Sequence, residues 1–262
     1  MSLTRRSILA GCLGLALVSA PHAGWADALD DIMKAGVLKV AVPQDFPPFG
    51  SVGPDLKPVG YDIDVANLIG AKMGVKVELV PVTSANRIPY LQTRKVDLVI
   101  STLGKNAERE KVIDFSVAYA PFFNGIFGPA DLKVSKVEDL AGMSVGVTRG
   151  SVEDLELSKI APATVDIKRY EDNNSTISSF LSGQVKAIAT GNVIAAAIIA
   201  RNPPKKPEVK FLIKDSPCFV GLNKDEPKLL AKVDAILTAA KTDGALKAIS
   251  EKWLGAPLPA TL

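Results

Sequence analysis

From Val37 onward the chain alternates short β-type runs with helical ones, and no other feature constrains its fold as strongly. Val37 to Val42 is followed by a helical pattern from Asp62 to Met73, a run from Lys76 to Val80, a helical stretch from Asn86 to Thr93 and an apolar run from Asp97 to Ser101. Parallel strands need long crossovers rather than tight turns, so this order predicts βαβ units around a largely parallel sheet. In the first helix Ile63, Ala66, Ile69 and Met73 recur at helical spacing, and Gly74 stands where a left-handed cap ends the last turn.

The order then repeats. Ser144 to Thr148, Val152 to Ile160, Val165 to Arg169, Ser175 to Ser182 and Lys186 to Thr190 form a second series, and Ile194 to Ala200 adds an apolar helix ended by Asn202-Pro203-Pro204. Two closing helices carry Leu229, Val233, Ile236, Leu237 and Ala240, then Leu246, Ile249 and Trp253, with Pro227 opening the first and Gly255 ending the second. No fixed-period repeat or low-complexity tether occurs, which disfavours a solenoid or two beads on one linker.

Ahead of this pattern, Arg5 and Arg6 precede an apolar stretch from Ile8 to Ala20, and small residues flank Trp25 at Gly24 and Ala26. Basic, apolar and small-residue segments in that order make a secretory signal, so residues 1–26 are expected to be a leader removed after Ala26. Thr4 to Leu9 also resembles a twin-arginine signal, with general secretion as the alternative. Leu9-Ala10-Gly11-Cys12 has the outline of a lipoprotein box, but cleavage there would leave almost no apolar core upstream.

Loss of the leader removes His22, the only histidine, and Cys12, leaving Cys218 alone. An internal disulfide, a Ser/His/Asp or Cys/His nucleophile system and a histidine-ligated zinc site are therefore excluded, and no catalytic residue, metal or cofactor is expected. Of 31 basic residues two lie in the leader, against 28 acidic residues that all lie beyond it, so the exported chain is close to charge balance. No basic stripe interleaved with aromatics is present, and nucleic acid is not an expected partner.

Seven ordered blocks carry a resemblance: Phe46-Pro47-Pro48-Phe49; Gly60-Tyr61-Asp62-Ile63-Asp64; Leu91-Gln92 to Val96-Asp97; Glu108-Arg109 with Asp114-Phe115-Ser116; Asp139 to Gly142; Val145-Gly146-Val147 to Gly150-Ser151; and Asp243-Gly244 to Lys252-Trp253-Leu254. Together they resemble the bacterial extracellular solute-binding proteins of family 3, the periplasmic components of polar amino-acid ABC transporters. Thr83 to Pro89 is similar to the glutamate/aspartate-type members in particular.

The resemblance implies an α/β fold of two Rossmann-like lobes joined by two crossover strands, with a ligand cleft between them, the type II periplasmic binding protein. Lobe 1 would be discontinuous, residues 27–121 and 220–262, and lobe 2 would be residues 122–219. It implies a periplasmic monomer that captures an amino acid or organic acid and delivers it to a membrane permease. No P-loop is present, so the ATPase would be another protein.

Residue by residue, Arg109 matches the arginine whose planar fork grips the ligand's α-carboxylate. Thr102 and Gly104 match positions that offer hydroxyl or backbone groups. Gly150 and Ser151 match the opposing lobe's contribution, expected as backbone N–H groups at a helix N-terminus. Ser84 and Arg87 match residues that hold a side-chain carboxylate in the acidic-ligand members, and Phe46, Asn173 and Asn192 complete the expected site.

The departures are equally specific. Gly191 stands where the family usually has an aspartate for the ligand's ammonium, Pro43 replaces a further arginine of the acidic-ligand members, and Asn173 replaces a histidine. A buried ammonium without a counter-charge is costly, so either Asp172 or another acid substitutes, or the ligand has no amine. The alternatives to a polar, acidic amino acid are thus an amine-free organic acid, or a cyclohexadienyl-dehydratase-like lyase on the same fold with Asp172 or Glu171 as general acid.

Overall fold

The computed structural model describes residues 27–200 and 202–262; the expected leader, residues 1–26, lies outside the described residues. The elements in order are α1 (Ala28–Ala35), β1 (Val37–Pro43), β2 (Asp45–Phe46), β3 (Gly50–Val52), β4 (Pro58–Val59), α2 (Tyr61–Met73), β5 (Lys76–Val82), α3 (Arg87–Gln92), β6 (Leu98–Leu103), α4 (Ala107–Glu110) and β7 (Ile113–Ala120). They continue with β8 (Phe123–Gly128), β9 (Ser144–Thr148), α5 (Val152–Ile160), β10 (Asp166–Tyr170), α6 (Asn173–Leu181), β11 (Ala187–Gly191), α7 (Asn192–Ala200), β12 (Glu208–Asp215), β13 (Cys218–Asn223), α8 (Pro227–Thr242) and α9 (Ala245–Leu254).

Two five-stranded sheets result, in the orders β5-β1-β6-β13-β7 and β10-β9-β11-β8-β12, with a small sheet β2-β3-β4 beside the first. β1 runs parallel to β5 and β6, and β9 parallel to β10 and β11, as the alternating pattern predicts. The antiparallel strands are β13 in the first sheet and β8 in the second. Each is the strand that enters its lobe directly from the other one, so it runs against its neighbours instead of following a helical crossover.

The chain changes lobes at residues 121–122 and 216–217, and Ser216 N donates to Phe122 O at 3.1 Å, tying the two crossings side by side. The boundary expected after residue 219 falls inside β13, because Cys218 already pairs with Ala120 and Phe219 with Ala118. Nothing in the apolar run Cys218-Phe219-Val220 marks its start; the pairing partner does.

Both sheets are covered on both faces. Ala41, Leu91, Val99 and Ile113 pack on one face of the first sheet, and Ile126, Val145, Val147 and Leu157 on one face of the second. The remaining core is continuous between lobes, from Leu38, Val40 and Ile69 through Phe49 and Phe122 to Phe127, Phe180 and Ile188. Helix α2 ends at Gly74, whose φ of 74° is the left-handed cap predicted. Cys218 is fully buried, as a small apolar residue. Among the described residues no helix is long and apolar enough to cross a membrane, and no cluster of His, Cys, Asp or Glu could hold a metal.

Candidate ligand-binding site

Between the lobes lies a cleft enclosing about 530 Å³ of empty space, part of it open to solvent. The first lobe lines it with the carboxyl ends of β1, β5 and β6 (Pro43, Val82, Ser101, Thr102), with Asp45 and Phe46 of β2, and with Ser84, Arg87 and Gly104. The second lobe contributes Thr148, Ala189 and Thr190 from β9 and β11, Ser151, Val152 and Glu153 from the start of α5, and Asn173 from α6. Phe122, Asn124 and Ser216 line it from the crossings. Carboxyl ends of parallel strands are the usual ligand edge of open α/β sheets, since the loops there are free to vary over a fixed scaffold.

Arg87 is buried at the head of α3. Its Nη1 donates to the Ser101 carbonyl, while its Nε is buried with no hydrogen-bond partner. Burial lowers its pKa, opposed by the negative charge of Glu153. Ser84 lines the same wall.

Arg109 is placed differently from expectation. Asn106 caps the short α4 that carries it, accepting from Arg109 N at 2.9 Å. Arg109 is 3% exposed and its guanidinium bridges the lobes: Nη1 donates to Gly104 O at 2.7 Å and Nη2 to Gly150 O at 2.9 Å. It is not among the cleft-lining residues. Burial, with the nearby Arg87 charge, lowers its pKa to about 9, which still leaves it protonated at neutral pH.

The second-lobe contribution is also corrected. Gly150 N donates to the Asp154 carboxylate at 3.0 Å and Ser151 N to Thr148 O at 3.1 Å, so neither N–H is free. Ser151 lines the cleft as the N-cap of α5, with Oγ accepting from Asp154 N. Gly150 has a φ of 72°, and a Cβ there would come within 3.1 Å of Ala85 Cα, so a glycine permits both the turn and the approach of the lobes.

Thr102 holds a φ of 48°, unusual for a β-branched residue. The fully buried Asp62 carboxylate holds it there, accepting from Thr102 N at 2.7 Å and Thr102 Oγ1 at 3.0 Å, and from Tyr119 Oη at 2.7 Å. Burial raises the Asp62 pKa to about 7 against these bonds. A side chain at Gly104 would meet Ser216 and Val152.

Phe46 packs on Phe49 and Phe122 at centroid distances of 6.3 and 6.1 Å and shapes an apolar wall. Asn173 lines the cleft with its polar groups engaged: N and Nδ2 donate to Asp45 Oδ2 at 2.7 and 3.0 Å, and Oδ1 accepts from Thr148 at 2.8 Å. Asn192 does not line the cleft; its Oδ1 accepts from Phe123 N at 3.2 Å and secures a crossing.

The acids proposed from sequence lie elsewhere too. Asp172 caps α6, accepting from Ser175 N at 2.7 Å, and Glu171 is an exposed partner of Arg149. The cleft acids are Asp45 and Glu153, both buried and both with pKa raised chiefly by that burial. Glu153 lies within the electrostatic reach of Arg87 and Arg109. Asn124 Nδ2 and Ser216 Oγ are, like Arg87 Nε, buried without a hydrogen-bond partner. Buried polar groups are normally paired; three of the four orphans among the described residues line this one cleft, the fourth being Asn106 Nδ2.

Gly191 is explained by packing. A side chain there would collide with the Phe122 ring as it is placed, so an aspartate at that position would require the ring to move.

Residues 38–256 match the family model of the bacterial extracellular solute-binding proteins, family 3. The L-cystine-binding protein TcyJ of Escherichia coli K12 is 27% identical over 258 residues, 96% of each chain. The glutamate/aspartate import solute-binding protein of Salmonella typhimurium is 28% identical over 257 residues, covering 92% of this chain and 83% of that one. An ancestral arginine-binding protein solved bound to arginine is 35% identical, with a TM-score of 0.77 over 84% of this chain and 99% of that one.

Proposed function

Because the chain belongs to the bacterial extracellular solute-binding proteins of family 3, we propose that it captures a polar amino acid, acidic ones foremost, in the periplasm for an ABC importer. The observation that carries this reading is the set of unpartnered Arg87 Nε, Asn124 Nδ2 and Ser216 Oγ around a cleft that also contains the carboxylates of Asp45 and Glu153. Donors and acids in one small enclosure complement a zwitterion: carboxylate oxygens answer the orphan donors and an ammonium answers an acid.

Closure is built from bonds between lobes. Arg109 reaches Gly150 O, Asn173 reaches Asp45, and Lys214 Nζ donates to Lys105 O at 2.7 Å. A ligand that adds bonds to both walls favours the closed arrangement by its differential affinity for it. Arg109 then acts by holding the lobes together beside the ligand, and Arg87 supplies the guanidinium of the wall.

The preference for acidic ligands rests on the buried Arg87 guanidinium, whose Nε has no hydrogen-bond partner in the cleft wall and is placed to meet a ligand carboxylate. The cystine, glutamate/aspartate and arginine relatives span all side-chain charges, so side-chain preference is what the test must read. A thermal-shift and calorimetric panel of the leaderless protein against L-glutamate, L-aspartate, L-glutamine, L-cystine, L-arginine and the amine-free acids glutarate and succinate makes that test. The expected result is stabilisation by L-glutamate or L-aspartate above the rest. Stabilisation by L-arginine alone overturns the acidic preference, and stabilisation by the amine-free acids alone overturns the amino-acid reading.

A further inference from the structure

We propose that Asp45 is the cation receptor of the cleft, taking the ligand's α-ammonium in place of the acid that Gly191 cannot provide. The inference rests on the amino-acid reading above and assigns one residue within it.

Three observations lead to Asp45. First, the Phe122 ring fills the space a side chain at 191 would need, so the counter-charge must come from another element. Second, the two acids that line the cleft differ in their surroundings. Glu153 already lies in the positive field of Arg87 and Arg109. Asp45 is 8% exposed and has no salt bridge among the described residues; its hydrogen bonds come from neutral N–H groups, those of Asn173 foremost, and the neighbouring charge of Asp172 is like its own. A buried carboxylate held only by neutral donors gains further from a cation that arrives with the ligand. Third, Asp45 precedes Phe46, whose ring packs against Phe122, so the acid stands at the apolar wall that displaced the alternative.

The same carboxylate joins the lobes, because Asn173 donates to it from the other side of the cleft. Cation capture and closure therefore converge on one group. Binding of an ammonium on the first lobe neutralises Asp45 while Asn173 holds the second lobe against it.

Matched pairs that differ only in the amine test this: L-glutamate with glutarate, L-glutamine with glutaramate, and L-arginine with 5-guanidinovalerate, each titrated into the wild type, Asp45→Asn, Asp45→Ser and Asn173→Ala. Chemical denaturation without ligand checks that each variant is folded. In the wild type the amino member of at least one pair is expected to bind at least about tenfold more tightly than its partner, about 1.4 kcal/mol. Asp45→Asn and Asp45→Ser are expected to erase that advantage: whatever both members lose with the tie to Asn173, the amino member loses at least about tenfold more than its amine-free partner. Asn173→Ala, which keeps the acid, is expected to weaken both members alike.

A full amino advantage in Asp45→Asn, or equal losses of both members, overturns the assignment and leaves Asp45 as a lobe tie only, with the amino-acid reading intact. A wild type that binds no amino member better than its partner overturns that reading, and the assignment with it.

Discussion

Arg109 and Gly150 sit on opposite lobes, and the Arg109 guanidinium donates to the Gly150 carbonyl at 2.9 Å while its other end donates to Gly104 O at 2.7 Å. A planar fork that bonds one carbonyl on each lobe is a strut of the closed form, and it lies beside Glu153 and Arg87 rather than in the wall of the cleft. Its geometry sets the first prediction.

Arg109→Ala is expected to weaken ligand binding at least about tenfold and to lower the unfolding free energy without ligand by about 2 kcal/mol, because it removes buried charge-assisted bonds. Arg109→Lys should recover little affinity, since a single ammonium does not reproduce a fork that reaches both carbonyls. Calorimetry and urea denaturation read the two effects. An unchanged dissociation constant in Arg109→Ala separates the strut from binding.

Arg87→Ala is expected to cost L-glutamate about tenfold more affinity than L-glutamine, because the buried guanidinium with its unpartnered Nε is the cation of the cleft wall. Competition binding with the two ligands measures the ratio. Equal losses would show that Arg87 does not discriminate the side-chain charge.

Gly191→Ala is expected to destabilise the fold by about 1–3 kcal/mol, the usual cost of overpacking a filled site. Phe122 provides the obstruction, so Gly191→Ala combined with Phe122→Leu should cost less than the sum of the two single changes. Urea denaturation of the four proteins in a double-mutant cycle gives the coupling, and simple additivity argues against the contact.

Asp62 provides a pH test. Burial lifts its pKa from 3.8 to about 7 in the folded protein. The folded state therefore holds a proton that the unfolded chain releases across that interval, and this group's contribution to stability falls as pH rises from about 4 to about 7, by at most about 1.4 kcal/mol per pH unit. Asp45, Glu153 and Asp97 are displaced in the same direction, so only the difference between proteins isolates Asp62. Denaturation of the wild type and Asp62→Asn at pH 5, 6, 7 and 8 should show a flatter profile in the variant. Parallel profiles would place the proton elsewhere.

Much of this molecule is legible in its one-dimensional pattern. The spacing of Ile63, Ala66, Ile69 and Met73 before Gly74 specifies α2 and its cap, and the alternation from Val37 to Ser101 specifies parallel strands, because helical and extended backbones present side chains at fixed periods whatever surrounds them. Arg87, inside the block Thr83 to Pro89, is buried at the head of α3 and lines the cleft, and Thr102 lines it half-buried at the end of β6.

What the sequence could not decide were contacts between residues far apart along the chain. Asn173 meets Asp45 across 128 positions, Phe122 fills the space beside Gly191, and Arg109 faces Gly150 from the other lobe. Asn124 and Ser216 become orphans only where the two crossings run together. Local periodicity sets which elements form and which faces they bury. The choice of Asp45 over Asp172 as a cleft acid, and of Arg109 as strut rather than wall, depends on how the completed lobes meet, and no nearest-neighbour rule encodes that geometry.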